Sequence, residues 1–351
     1  MTNIINQRVQ WIDFLKGFLL TCICLSHFGN LPYFLKYIIY PTGSIYVPTF
    51  FMLSGILYND VKYPLYKDFL LSKIYSLFIP YIFFFFLFIL FDWNMYIHTY
   101  KAFFQYSKAL YFADGPPKAS PIWFIIKLFL INQLYYFIVH FFIKPICIFI
   151  VIFLCSLIGY FLYYLNIHLP LGFEVIFSAT LFFGLGNLGK NILFKILSYF
   201  NKIPITFIFI TFALFIFVSY VSNQYNQFSV LSLNKIQNYF LFYFSSIIGC
   251  LALFILSYII GEQFINKYVF KKISFFFIFL SRNALPILGT HVYIIIIIDQ
   301  ILNKVNIFDS ITAFLVKIIC LIIITYFFII PFLYDKFYFI FRKENLNYNP
   351  K

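Results

Sequence analysis

Ile74-Tyr75-Ser76-Leu77-Phe78-Ile79-Pro80-Tyr81-Ile82-Phe83-Phe84-Phe85-Phe86-Leu87-Phe88-Ile89-Leu90-Phe91 carries no charged residue across 18 positions. As a helix rising ~1.5 Å per residue, such a run comes close to the ~30 Å hydrocarbon thickness of a bilayer. Comparable runs recur along the chain. About ten candidate spans fall at 11–29, 44–58, 74–91, 121–142, 145–165, 173–188, 203–221, 238–260, 276–298 and 312–334. Backbone groups in lipid must be satisfied within the protein, so these runs read as helices. The expected fold is an all-α polytopic membrane protein, one integral-membrane domain over residues 1–351. The runs at 44–58 and 173–188 are short and contain Gly55, Gly184 and Gly186, residues that let two backbones approach closely.

Composition agrees. Hydrophobic residues make up 63% of the chain and charged residues 10%, whereas a soluble domain is about one-quarter charged. Lipid must therefore be the solvent for much of the surface. The net charge of +14 does not point to nucleic acid, because no basic run is long enough to track a phosphate backbone. It fits the bias of Lys and Arg toward cytoplasmic loops. With the N-terminus inside, ten spans leave fifteen basic residues on the inner side, among them Arg8, Lys73, Lys144, Lys195 and Lys272. Only six lie outside: Lys36, Lys101, Lys108, Lys118, Lys235 and Lys304. Both termini are thus expected in the cytoplasm. The first apolar run keeps Asp13 and Lys16 near its start and shows no small-residue cleavage site, so it reads as a retained first helix. The six cysteines lie in apolar stretches without metal-ligand spacing, and no permanently bound cofactor or metal is expected.

Charges inside a spanning helix are costly and draw attention to function. The first span reads Trp11-Ile12-Asp13-Phe14-Leu15-Lys16-Gly17 and ends Leu25-Ser26-His27. Lys16 and His27 are eleven residues apart, which on a helix returns them within about 20° of one face, roughly 16 Å apart along the axis. Asp13, three residues before Lys16, is within reach of pairing with it. One face therefore offers a carboxylate and an ammonium at one end and an imidazole toward the other.

Asp-x-x-(Arg/Lys)-Gly with a His eleven residues after the basic residue resembles the opening motif of the membrane acyltransferase family 3, in its fucose-4-O-acetylase-like branch. Other segments match in order: Phe50-Phe51-Met52-Leu53-Ser54-Gly55, then Leu77-Phe78-Ile79-Pro80-Tyr81 preceded by Lys73. Pro121-Ile122-Trp123-Phe124 follows, and Leu280-Ser281-Arg282-Asn283-Ala284-Leu285 with His291 comes last. The resemblance spans about residues 8–335. Lys16 stands where many relatives carry Arg, and Ser281 and Ala284 stand where Gly and Ser are usual.

The resemblance implies an O-acyltransferase of the bacterial inner membrane. Its donor would be acyl-CoA, with acetyl-CoA the expected form, its acceptor a sugar hydroxyl of a glycan or lipid-linked precursor, and its central catalytic residue His27. Chemistry agrees, since imidazole titrates in the range needed to take a proton from a sugar hydroxyl at neutral pH. Lys16 and Lys73 would meet the donor phosphates, with Asp13 orienting Lys16; Lys16 as a residue snorkelling to lipid headgroups is the simpler alternative. Trp123 reads as an acceptor contact or an interfacial belt residue, and His291 as catalytic support or an interhelical hydrogen bond. Ser54 reads as part of a close-packing point or as a nucleophile, and Glu174 as a sugar contact or a helix cap. Asn283 belongs to the last motif segment and is a supporting candidate with it. The competing function is a transporter or flippase of lipid-linked glycans, which would call for matching interrupted helices in two halves. No such pair stands out.

Overall fold

The computed structural model describes residues 9–29, 31–32, 35, 39, 44–59, 61–63, 65–93, 100–117, 120–200, 206–225, 231, 234–263, 268–305, 310–337 and 340–341. Arg8, Lys36, His98 and Lys118, and both ends of the chain, lie outside them.

Among the described residues the secondary structure is helical. The helices are α1 (Gln10–Ser26), α2 (Tyr46–Ile56), α3 (Tyr66–Lys73), α4 (Ile79–Trp93), α5 (Tyr100–Tyr111), α6 (Trp123–Phe141) and α7 (Pro145–Tyr164). They continue with α8 (Phe173–Tyr199), α9 (Thr206–Tyr225), α10 (Tyr239–Tyr258), α11 (Tyr268–Arg282), α12 (Ala284–Lys304), α13 (Ser310–Ile324) and α14 (Ile330–Lys336). Among the described residues, seven continuous helical runs are long and apolar enough to cross a membrane: 66–92, 123–141, 145–164, 170–199, 239–261, 284–304 and 311–336. The chain is a multi-pass membrane protein. The runs expected at 11–29 and 44–58 form shorter helices of 17 and 11 residues.

Three prolines explain three irregularities. A proline lacks the N–H that would bond the carbonyl four residues back, and its ring pushes that carbonyl aside. Four residues before Pro80 lies Ser76, inside the π-helical turn Ile74–Phe78 that joins α3 to α4. Four before Pro331 lies Phe327, inside the π-helical turn Thr325–Ile329 that joins α13 to α14. Four before Pro286 lies Arg282, the last residue of α11. The single span expected at 276–298 is corrected here: it is two helices meeting at Asn283 (φ −112°, ψ 25°).

The largest apolar core joins α1, α2, α6, α7, α8 and α10. Trp11 sits in it, 1% exposed, with its ring edge-on to Phe194, Phe254 and Tyr258. A second core gathers Tyr81, Phe84, Phe85 and Phe88 of α4 with Tyr106 of α5 and Tyr293 of α12. Tyr106 and Tyr293 both donate to Asp92 Oδ2, the latter at 3.0 Å, so a buried carboxylate ties three helices together. Large exposed side chains such as Phe86, Leu90, Phe240 and Phe327 cover the outside, as lipid requires.

α1 packs on α2, α10, α11 and α12. A Cβ at Gly17 would strike the Phe277 carbonyl of α11, so only glycine permits this approach. Phe277 faces Gly17, Ile287 packs with Leu20 and Cys24, and Ile295 packs with Phe28. The α11–α12 pair therefore runs alongside α1 in the same direction and delivers α12 to its end.

Candidate active site

α1 is unbroken from Gln10 to Ser26, so the ~16 Å rise from Lys16 to the residue after the helix stands as regular geometry requires. Asp13 is buried near the start, where an acid offsets the helix dipole, and Lys16 is half-buried. The far end closes tightly. The His27 N–H donates to Cys24 O at 3.2 Å, the Phe28 N–H to Leu25 O at 3.1 Å, and Ser26 Oγ to Ile23 O at 2.7 Å. Gly29 then turns the chain away at φ +73°.

His27 stands at this turn, exposed, and its ring centroid lies 5.3 Å from that of His291 at 59° between planes. His291 is 0% exposed. Its Nδ1 lies 2.9 Å from Ile287 O and 3.1 Å from Leu288 O. A carbonyl only accepts, so Nδ1 must carry the proton, and Nε2 is left as a bare lone pair. That Nε2 is buried and has no hydrogen-bond partner among the described residues. A buried polar atom left unpaired costs about 1–3 kcal/mol and calls for a reason. The motif element at the chain's start and the one near its end thus meet as two imidazoles, one fixed in its tautomer and one reachable.

The family model for the acyltransferase domain of acyltransferase family 3 matches residues 9–334. The chain belongs to that family. No curated protein and no solved structure matches it.

In this acyltransferase the remaining candidates sit in varied surroundings. Lys73 ends α3, its ammonium 5.4 Å from the Phe69 ring centroid. Trp123 is buried at the start of α6, and the short turn before it, Ser120–Ile122, packs against the helix of His291. Ser54 Oγ donates back to Phe50 O at 2.8 Å, while a Cβ on Gly55 would meet the Phe183 carbonyl of α8. The Ser54-Gly55 pair is thus a close-packing point. Glu174 is 6% exposed, its Oε2 accepting the Leu169 N–H at 3.0 Å and its Oε1 3.5 Å from His168 Nδ1. It is buried and ties the start of α8 back to the segment before the 170–172 turn, and is not a solvated cap. Asn283 Nδ2 donates to Phe279 O at 2.8 Å and belongs to the helix break.

Two lysines escaped the sequence reading. Lys127 of α6 and Lys317 of α13 are 0% and 5% exposed, each set in an apolar run. The signal was present, because an ionisable residue inside a span is functional or carefully paired by default. Attention to loop lysines alone passes over both.

Proposed function

We propose that the acyltransferase moves an acyl group, acetyl in the simplest case, from acyl-CoA to a sugar hydroxyl. The acceptor in this reading is a cell-surface polysaccharide or its lipid-linked precursor at the bacterial inner membrane. The observation that carries it is the His27–His291 pair.

His27 takes the proton of the acceptor hydroxyl as its oxygen attacks the thioester carbonyl carbon. The new C–O ester bond forms and the C–S bond breaks. The proton then passes from His27 to the leaving thiolate, giving free coenzyme A. His291 Nε2, with no proton of its own, is suited to accept an N–H from His27 and stabilise the imidazolium as it forms. Lys16 and Lys73 serve the donor phosphates as point charges, with Asp13 limiting the cost of holding Lys16 in the bundle. Trp123 serves the acceptor side. Ten spans with both termini cytoplasmic, supported by the basic asymmetry of the loops, would open the Lys16 end to cytoplasmic acyl-CoA. The His27 end would then face the glycan.

The test uses membranes with and without the protein, given radiolabelled acetyl-CoA. Protein-dependent label in glycan, released by mild base as an ester requires, supports the reading. Absence of label, with protein-dependent passage of lipid-linked glycan across the bilayer, would replace it with a flippase.

A further inference from the structure

A helix end leaves its last carbonyl groups without partners inside the helix. A catalytic side chain placed there depends on whatever holds the departing chain. In this protein the chain leaving His27 is gripped by another helix. Lys317 Nζ of α13 donates to the Phe28 carbonyl at 2.8 Å and pairs with Asp299 Oδ1 of α12 at 2.6 Å. The same ammonium lies 5.9 Å from the Phe28 ring centroid. That ring is buried with Ile295 and Phe314, its centroid 5.8 Å from that of Phe314. Lysine in an apolar span is costly, and Asp299 offers it a carboxylate partner. Lys317 also takes the carbonyl of the residue next to His27, where a cation complements the helix dipole.

We propose that Lys317, oriented by Asp299, is a positioning residue for His27, an inference that rests on His27 acting as the base. Holding the Phe28 carbonyl fixes the Phe28–Gly29 peptide, one residue beyond His27. That limits how the chain at His27 can move and so sets its imidazole against His291. α12 then supplies both supports, His291 beside the ring directly and Asp299 through Lys317. Ring and backbone are braced from one helix.

The test compares the full-length protein with Lys317→Met, Lys317→Arg, Asp299→Asn and His27→Gln variants. One readout is hydrogen exchange in a peptide covering residues 24–31. The other is acetyl transfer from radiolabelled acetyl-CoA to membrane glycans. Lys317→Met is expected to speed exchange at the His27 and Phe28 amides about ten-fold without changing α7. It should lower kcat about 10–100-fold with KM for acetyl-CoA unchanged, the size of effect a misplaced catalytic group produces. Lys317→Arg should restore both readouts, and Asp299→Asn should give a smaller loss in each. Unchanged exchange at residues 27 and 28 in Lys317→Met overturns the proposal, as does faster exchange with wild-type kcat. Should Lys317→Met fail to insert, unchanged exchange and kcat in Asp299→Asn overturn it instead. Wild-type kcat in His27→Gln removes the base reading and the positioning role together. Inactive His27→Gln beside fully active Lys317→Met removes the positioning role alone.

Discussion

The His27–His291 pair and Lys127 are polar groups set in apolar helices, and they are treated in opposite ways. Lys127 is fully buried, and its ammonium has three N–H bonds to place. It donates to Phe112 O at 2.6 Å and Leu171 O at 2.8 Å, and Asp114 Oδ1 lies 3.7 Å away. The backbone bends around it at Ala113 (φ 50°) and Leu171 (φ 57°), so two connecting segments are pinned to α6. His291, equally buried, has no partner for Nε2 among the described residues and stands beside His27. A polar group with every valence occupied is scaffolding. One held with a lone pair open, at a cost to stability, is available for chemistry.

That contrast predicts a double dissociation. His27→Gln keeps a hydrogen-bonding side chain but no base, and acyl transfer should fall by about 10²–10⁴-fold. Thermal unfolding of the purified protein should stay near wild type. A His27→Gln enzyme that still transfers near the wild-type rate would make His27 a packing residue and dissolve the comparison.

Lys127→Met should do the reverse. It strands two inward-turned carbonyls, those of Phe112 and Leu171, and each buried acceptor left unpaired costs about 1–3 kcal/mol. The expected result is a lower unfolding temperature and poorer insertion, with normal kcat per folded molecule. Wild-type stability with lost activity would move Lys127 from scaffold to site.

His291→Phe sharpens the contrast. It keeps ring volume, removes the accepting nitrogen from His27 and should slow transfer by about 10–100-fold, less than loss of the base itself. It also deletes a buried atom without a partner, so the variant should unfold no earlier than wild type and as much as about 1 kcal/mol later. A loss of both activity and stability would show that Nε2 has a structural partner after all.

How much of this was legible beforehand follows from which signals are local. Helix content, the multi-pass character and the first-span motif are local patterns of composition and spacing, and they read directly. The pairing of His27 with His291 is not local, since the two residues lie at opposite ends of the chain and only packing of α1 along α11 and α12 joins them. The break at Asn283 was missed because apolar composition persists on both sides of it, although Pro286 carries the physical reason. Glu174 was marked by its charge at a span start and Asn283 by its motif, and their hydrogen bonds show a buried tie to the segment before α8 and a helix break. Lys317 and Lys127 were overlooked because both fall within runs assigned by hydropathy, where a single charge barely alters the average.

The smallest expected effect belongs to the other end of α1. Lys16 is half-buried on an unbroken helix, near the buried Asp13 and ~16 Å before His27. If it meets donor phosphates it does so as a point charge, bound alike in ground and transition states, and such uniform binding changes KM and leaves kcat alone. A partly exposed charge contact is worth about 0.2–1 kcal/mol. Lys16→Ala should therefore raise KM for acyl-CoA by only about two- to five-fold, and Lys16→Arg, which keeps the charge, should stay near wild type. Lys73, its ammonium 5.4 Å from the Phe69 ring centroid, should respond in the same direction and no more strongly. Equal and complete loss of transfer in both Lys16 variants, in properly inserted protein, would mean that side-chain shape and not charge matters there. The two ends of α1 would then differ in position only, both belonging to the chemistry, and the division between a donor-holding end and a reacting end would have to be given up.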